Sequence, residues 1–235
     1  MSTFLFIGLS EAELSALSIS IRVALLCAVI SLPFAVVTGW FLARKNFRFK
    51  SVVEAFLHIP MVLPPVTTGY ILLLIFGANG LLGRWLFDTF GVKIAFSFGA
   101  AVLASIIVAF PLVVRAIKQA VEMVDKRYED AAGILGASRL KIFFSITVPL
   151  AFPGILSGFL LSFTRSLGEF GATITFAGNI FGETRTIPLA LFSSMQTPGK
   201  ETEALRFMLI SVAISFVAML ASEIVNRNYL KKNNP

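Results

Sequence analysis

The sequence predicts an all-α fold, a polytopic membrane bundle of about five transmembrane helices, with six as the alternative. Three observations predict it. Hydrophobic residues make up 57% of the 235 positions and charged residues only 14%, where a soluble domain has about half and about a quarter. The apolar residues gather in stretches close to the roughly 20 residues a helix needs to cross a bilayer. The basic residues gather between those stretches on alternate sides, as cytoplasmic loops do.

The first span runs from Leu17 to Ala43, with Glu11 and Glu13 before it and Arg44-Lys45 after it. It has no basic leader and no small-residue cleavage site, so it reads as an uncleaved anchor. Arg22 lies near its outer end, where a long side chain reaches the headgroups by snorkelling. The second span, Ala55 to Phe76, contains Pro60, Pro64 and Pro65. Three prolines remove three backbone donors, which membrane depth tolerates only beside protein or a water-filled cavity. Two readings stay open there: a kinked packing helix, or a pore-facing one with Thr67 and Thr68 as local partners.

The third span runs from Phe96 to Val114, the fourth from Ile142 to Thr164 with Pro149 and Pro153 in its first half, and the fifth from Leu205 to Val225. The stretch from Gly168 to Met195 carries Glu169, Glu183, Arg185, four glycines and Pro188. It reads as a loop or a partial re-entry. On the fourth span Gly154, Gly158, Ser162 and Ser166 recur every four residues and share one face. Such a face allows close helix packing or leaves room for a passage.

Thirteen of the twenty basic residues fall in the 44–50 loop, the 115–141 segment and the tail after Val225. That bias puts this face in the cytoplasm, with the N-terminus outside and the C-terminus inside. An even number of spans would throw the basic tail outside, so the charge pattern favours five. It also makes nucleic acid unnecessary as an explanation of the net charge of +7. One cysteine and one histidine exclude a disulfide framework and a multi-histidine metal cage. No phosphate-binding G-x-x-x-x-G-K-[ST] run, H-E-x-x-H or nucleophile elbow occurs, which speaks against a membrane enzyme or a nucleotide site in this chain.

Between the third and fourth spans, residues 125–141 are too polar to cross and too patterned for a linker. Asp125 can cap a short helix, Glu129 and Asp130 suit its positive end, and Gly136 can terminate it. Ala131, Ala132, Gly133 and Ala137 give it a surface that another backbone can approach closely, while Tyr128, Ile134 and Leu135 can fill a pocket. The helix either docks in a groove of a partner or rests on lipid headgroups.

Glu129-Asp130-Ala131-Ala132, Gly136-Ala137, Phe143-Phe144, Val148-Pro149 and Pro153-Gly154-Ile155 resemble the EAA loop of ABC-importer permeases, in order, over residues 129–155. Asp130 stands where that motif has Ala. The resemblance implies a type I importer permease fold, one transmembrane domain over residues 1–235, and a short cytoplasmic coupling helix built on Glu129, Asp130, Ala131, Ala132, Gly136 and Ala137. It implies two ATP-binding cassette subunits that carry ATP and Mg²⁺, so that this chain is non-catalytic and binds no cofactor. It also implies a second copy of the chain around the pathway. Arg165 to Thr173, Gly182 to Pro188 and Leu63-Pro64-Pro65 are similar to oxyanion permeases, those of molybdate importers above all; a sulfate or thiosulfate permease is the alternative, and a passive anion channel the alternative of another class. An extracytoplasmic molybdate-binding protein would then dock near Glu183 and Arg185. Pro64, Pro65, Thr67, Thr68, Ser162, Arg165, Ser166 and Glu169 are the pathway and gate candidates, Arg165 and Glu169 being spaced to pair.

Overall fold

Backbone groups that water cannot reach must bond within their own segment, and among the described residues the chain meets this with helices alone. The computed structural model describes residues 8–233, with side chains through Ile224 except that of residue 222. The basic tail side chains Arg227, Lys231 and Lys232 therefore lie outside the described ones. Among the described residues four helices are long and apolar enough to cross a membrane, five if one bent pair counts as a span.

Helix α1 (Glu11–Arg44) begins on a capping box: the Glu13 amide donates to Ser10 Oγ at 3.3 Å, and the Ser10 amide donates to a Glu13 carboxylate oxygen at 2.7 Å. Two orphan donors of the first turn are thus satisfied reciprocally. The expected second span is two helices, α2 (Lys50–Val62) and α3 (Pro65–Phe76), bent by 109°. The cause is local. A residue before proline is pushed out of the helical region, and here Leu63 precedes Pro64, which precedes Pro65. Their ψ angles are 143° and 132°.

Helix α4 (Leu81–Phe90) is a short element that the apolar pattern does not announce. It ends on Gly91 at φ +68°. Helix α5 (Phe98–Met123) runs nine residues past the expected end at Val114. Its polar end is held laterally, by Lys118 Nζ at 2.7 Å from Glu54 Oε1 of α2. Next come α6 (Lys126–Ile134), α7 (Arg139–Ile142), a π-helical turn over Phe143–Thr147, and α8 (Val148–Leu167), the last three making one continuous span. The stretch 168–195 holds α9 (Gly171–Phe176) and α10 (Ile187–Met195). At a rise of about 1.5 Å per residue neither reaches across a core of about 30 Å, so no sixth span arises there. Helix α11 (Glu201–Asn233) closes the chain.

Helices α1, α5 and α8 form the central core. Small residues set their spacing. A side chain added at Gly39 would lie 3.0 Å from Ile117, one at Gly158 would lie 3.2 Å from Val113, and one at Gly154 would overlap Ala120. Ser162 Oγ sits 3.2 Å from Ser31 Oγ on α1. The four-residue stripe on α8 is therefore spent on packing.

At one end of the bundle the ends of α1 and α5 meet α6 and the start of α8. At the other, α11 is tied to α1 by Arg206 Nε, 2.7 Å from Glu13 Oε1. Glu13 is 1% exposed, so its charge depends on that partner. Replacing Arg206 with Ala should destabilise the chain by about 3–5 kcal/mol, the usual cost of leaving a buried charge unpaired. A clear drop in the melting temperature of detergent-purified protein checks this; an unchanged temperature would contradict it.

Candidate functional site

Helix α6 is built by its caps. The Arg127 amide donates to Asp125 Oδ1 at 2.9 Å, and the helix stops at Gly136, whose φ of +83° is a left-handed conformation that favours glycine. The Ala137 amide returns to the Ala132 carbonyl at 3.0 Å, closing the turn. Ser138 then caps α7 through the Lys141 amide at 3.4 Å.

What holds this short helix in place is one carboxylate. Glu129 Oε1 accepts from Arg44 Nε at 3.1 Å, from Arg44 Nη2 at 3.0 Å and from Thr147 Oγ1 at 2.7 Å. Arg44 Nη2 also donates to the Val124 carbonyl at 2.9 Å, just past the end of α5. The side chains of Arg44 and Glu129 are only 8% and 15% exposed. Charge-assisted bonds shielded in this way are stronger than surface pairs. Thr147 closes the π-helical turn, a local widening of the kind found at functional sites.

The sequence places Glu129 among the residues of the docking helix, but in the structure its carboxylate faces inward and ties α6 to Arg44 of α1 and to Thr147 at the head of α8, while Arg44 in turn reaches the end of α5. The residues turned outward are others. Tyr128 is 61% exposed, and Ile134 and Leu135 are each 87% exposed. Asp130, Ala131 and Gly136 are exposed, while Ala132 and Ala137 are half-buried. Neither Arg44 nor Thr147 stands out in the sequence as a partner of this helix. Arg44 is 85 positions away from Glu129, and no local pattern marks such a pair.

The pathway candidates divide into two groups. Ser162 and Ser166 are buried inside the bundle at 0% and 5%, and Thr68 is buried at 4%. Pro64, Pro65 and Thr67 are exposed along the break between α2 and α3. Behind that break α3 lies directly against α9. A side chain at Gly69 would come within 2.6 Å of the Ala172 carbonyl, and one at Gly171 within 2.9 Å of the Pro65 ring. Arg165 and Glu169 do pair: Arg165 Nη1 is 2.8 Å from Glu169 Oε2. The other oxygen of Glu169 accepts from the Ala172 amide at 3.0 Å, so this residue, 2% exposed, also fixes the first turn of α9.

At the same end, the loop between α9 and α10 presents an exposed Glu183. Arg185 is half-buried; its Nε donates to Asn179 Oδ1 at 2.8 Å and its guanidinium lies 5.6 Å from the Phe181 ring centre. The two docking candidates therefore differ, one on the open surface and one partly absorbed in holding its own loop.

A family model described as "Binding-protein-dependent transport system inner membrane component" matches residues 35–231. The molybdenum transport system permease protein ModB of Haemophilus influenzae is 50% identical over 220 residues, 94% of this chain and 96% of the relative. ModB of Escherichia coli K12 is 49% identical over 215 residues, 92% of this chain and 94% of the relative. Among solved structures, a bacterial alginate ABC transporter in complex with its alginate pentasaccharide-bound periplasmic protein contains a chain that superposes with a TM-score of 0.76. The superposition covers 97% of this chain and 83% of that one at 12% identity, a likeness of fold.

The anchor makes a direct prediction. Arg44→Ala should leave Glu129 half-buried without its cation, costing about 1–3 kcal/mol, and should speed amide hydrogen exchange across residues 126–135 without changing exchange in α5 and α8. Thr147→Val, which removes one bond, should act in the same direction with a smaller effect. Unchanged protection of α6 in Arg44→Ala would show that the carboxylate is not what holds the helix.

Proposed function

The chain belongs to the family of binding-protein-dependent transport system inner membrane components, and from that premise we propose that it is the permease subunit of an ATP-driven importer that carries molybdate across the cytoplasmic membrane. The observation that carries the transport reading is the capped helix α6, fastened by Glu129 to Arg44 of α1 and Thr147 at the head of α8 while Tyr128, Ile134 and Leu135 face outward. The choice of anion rests on identity of 49–50% to molybdenum permeases over more than nine-tenths of the chain.

In this reading the basic end of the bundle lies in the cytoplasm and the N-terminus outside. Two ATP-binding subunits, which hold ATP and Mg²⁺, receive α6 in their clefts; this chain performs no catalysis. Their closure displaces α6, and the Glu129 anchor passes the displacement to α1 through Arg44, to α5 through the Val124 carbonyl and to α8 through Thr147. A second copy of the chain completes the pathway. An extracytoplasmic binding protein delivers the dianion to the loop around Glu183 and Arg185 and carries most of the selectivity. The path itself needs small polar groups more than an arginine cage, because a passage that holds a dianion tightly cannot release it.

Two experiments test this. Uptake of labelled molybdate and sulfate, in a deletion strain complemented with this gene, should favour molybdate and stop when the ATPase partner is deleted. Uptake that continues without the partner would identify a passive channel. A Cβ at Gly136 would meet no atom within 4 Å, and the position is exposed outside the spans, so Gly136→Leu should insert normally. Its left-handed backbone should cost about 1–2 kcal/mol, enough to misplace α6 and lower uptake on the order of tenfold. Full uptake by that variant would contradict the coupling role.

A further inference from the structure

Behind the candidate coupling helix lies a cavity of about 730 Å³, and we propose that it binds the headgroup of an anionic phospholipid such as phosphatidylglycerol. The cavity is lined from α6 and the turn after it by Lys126, Glu129, Asp130, Gly133, Ile134 and Ala137. These positions recur at three- and four-residue intervals and make up one helical face. Tyr128 and Leu135 lie off that face, so the cavity meets the surface offered to an ATPase only at Ile134.

The charge in the cavity is not balanced. Arg44 is committed to Glu129. Lys45, Lys126 and Arg139 remain against the single carboxylate of Asp130, and among the described residues none of the three cations forms an ion pair. A phosphodiester supplies the missing negative charge and two free oxygens that accept from ammonium and guanidinium groups. The size suits a headgroup, since ligand sites run from about 300 to about 1,000 Å³.

The other wall is aromatic. Trp40 and Phe143 meet edge to face at 5.2 Å between ring centres, and Phe143 meets Phe144 at 4.9 Å. Phe144 is 65% exposed and Leu140 71% exposed, so an apolar surface continues outward from the cavity. Tryptophan and basic residues together mark the depth of the membrane interface, and basic pockets between helices on that side suit acidic headgroups. Free inorganic phosphate shares the phosphate chemistry but has no use for the aromatic wall; the lipid uses both. A phosphate held by Lys126, Arg139 and Lys45 would join α6, α7 and the end of α1 across the Glu129 anchor, making the stiffness of the coupling helix depend on the lipid.

The chain has two tryptophans, and Trp85→Phe on α4 leaves Trp40 as the sole reporter. The full chain is reconstituted in phosphatidylcholine vesicles that contain either brominated phosphatidylglycerol or brominated phosphatidylcholine, and quenching of Trp40 is followed against lipid fraction. The anionic lipid should quench at a lower fraction, and Lys45→Ala, Lys126→Ala and Arg139→Ala should each reduce that preference roughly fivefold. Equal quenching by the two lipids overturns the proposal, as does a preference that survives all three substitutions together. Loss of the preference on adding inorganic phosphate would assign the cavity to the free anion, and its loss on adding the purified ATP-binding subunit would assign it to the protein partner; either result also overturns it. The readout needs no transport, so its failure leaves the importer reading intact.

Discussion

The Glu129 carboxylate is the constraint on which the rest of the arrangement depends. One oxygen gathers donors from residues 85 positions before it and 18 after it, and the arginine that reaches it also closes the end of α5. An exposed ion pair would contribute little, since solvent screens it and both side chains lose freedom. This one is largely withdrawn from water, at 8% and 15% exposure, and each partner leaves the other costly to expose or strand. A nine-residue helix is marginal by itself in water. Tied through Glu129 to Arg44 and Thr147, it is held against the core although it buries no residue of its own.

Helix α8 carries that rigidity to the other end of the bundle. Thr147 stands immediately before its first residue, and Arg165, near its last, pairs with Glu169, which fixes the start of α9. Twenty helical residues extend about 30 Å, close to the thickness of a bilayer core. At its far end α9 meets α3 through Gly69 and Gly171, where any side chain would collide with backbone or ring. Contacts that close behave as rigid, because packed interiors are dense and transmit strain. In the proposed importer a movement of α6 would therefore be carried along α8 to the α3–α9 pair, which the break at Leu63-Pro64 separates from α2.

Much of this is legible in the sequence where the cause is local. The positions of the spans follow from apolar length, the end of α6 from Gly136, and the Arg165–Glu169 pair from its four-residue spacing. The prolines at 64 and 65 announce an interruption, but not one of 109°, because that angle is set by what α2 and α3 pack against. The charges at Arg115 and Lys118 suggest an end to the third span at Val114, whereas α5 continues because Glu54 of α2 receives Lys118. The same limit hides the Glu129 anchor: its three donors come from two distant segments, and nothing in either marks the other. The stripe at Gly154, Gly158, Ser162 and Ser166 has two readings, and only the neighbours Val113, Ala120 and Ser31 select close packing.

That selection bears on where an anion can pass. With Ser162 and Ser166 buried between helices, the exposed candidates Pro64, Pro65 and Thr67 lie along the α2–α3 break, and α2 buries no residue within this copy. The carbonyls of Pro60 and Met61 cannot receive amide donors from Pro64 and Pro65, which have none. Hydrocarbon would leave such groups unsatisfied at a cost of several kcal/mol, so irregular backbone at this depth belongs beside protein or water. A face that is apolar on α2, polar at the break and uncovered in one copy fits the wall of a passage whose opposite wall comes from another chain, which is the physical reason the proposed importer requires two.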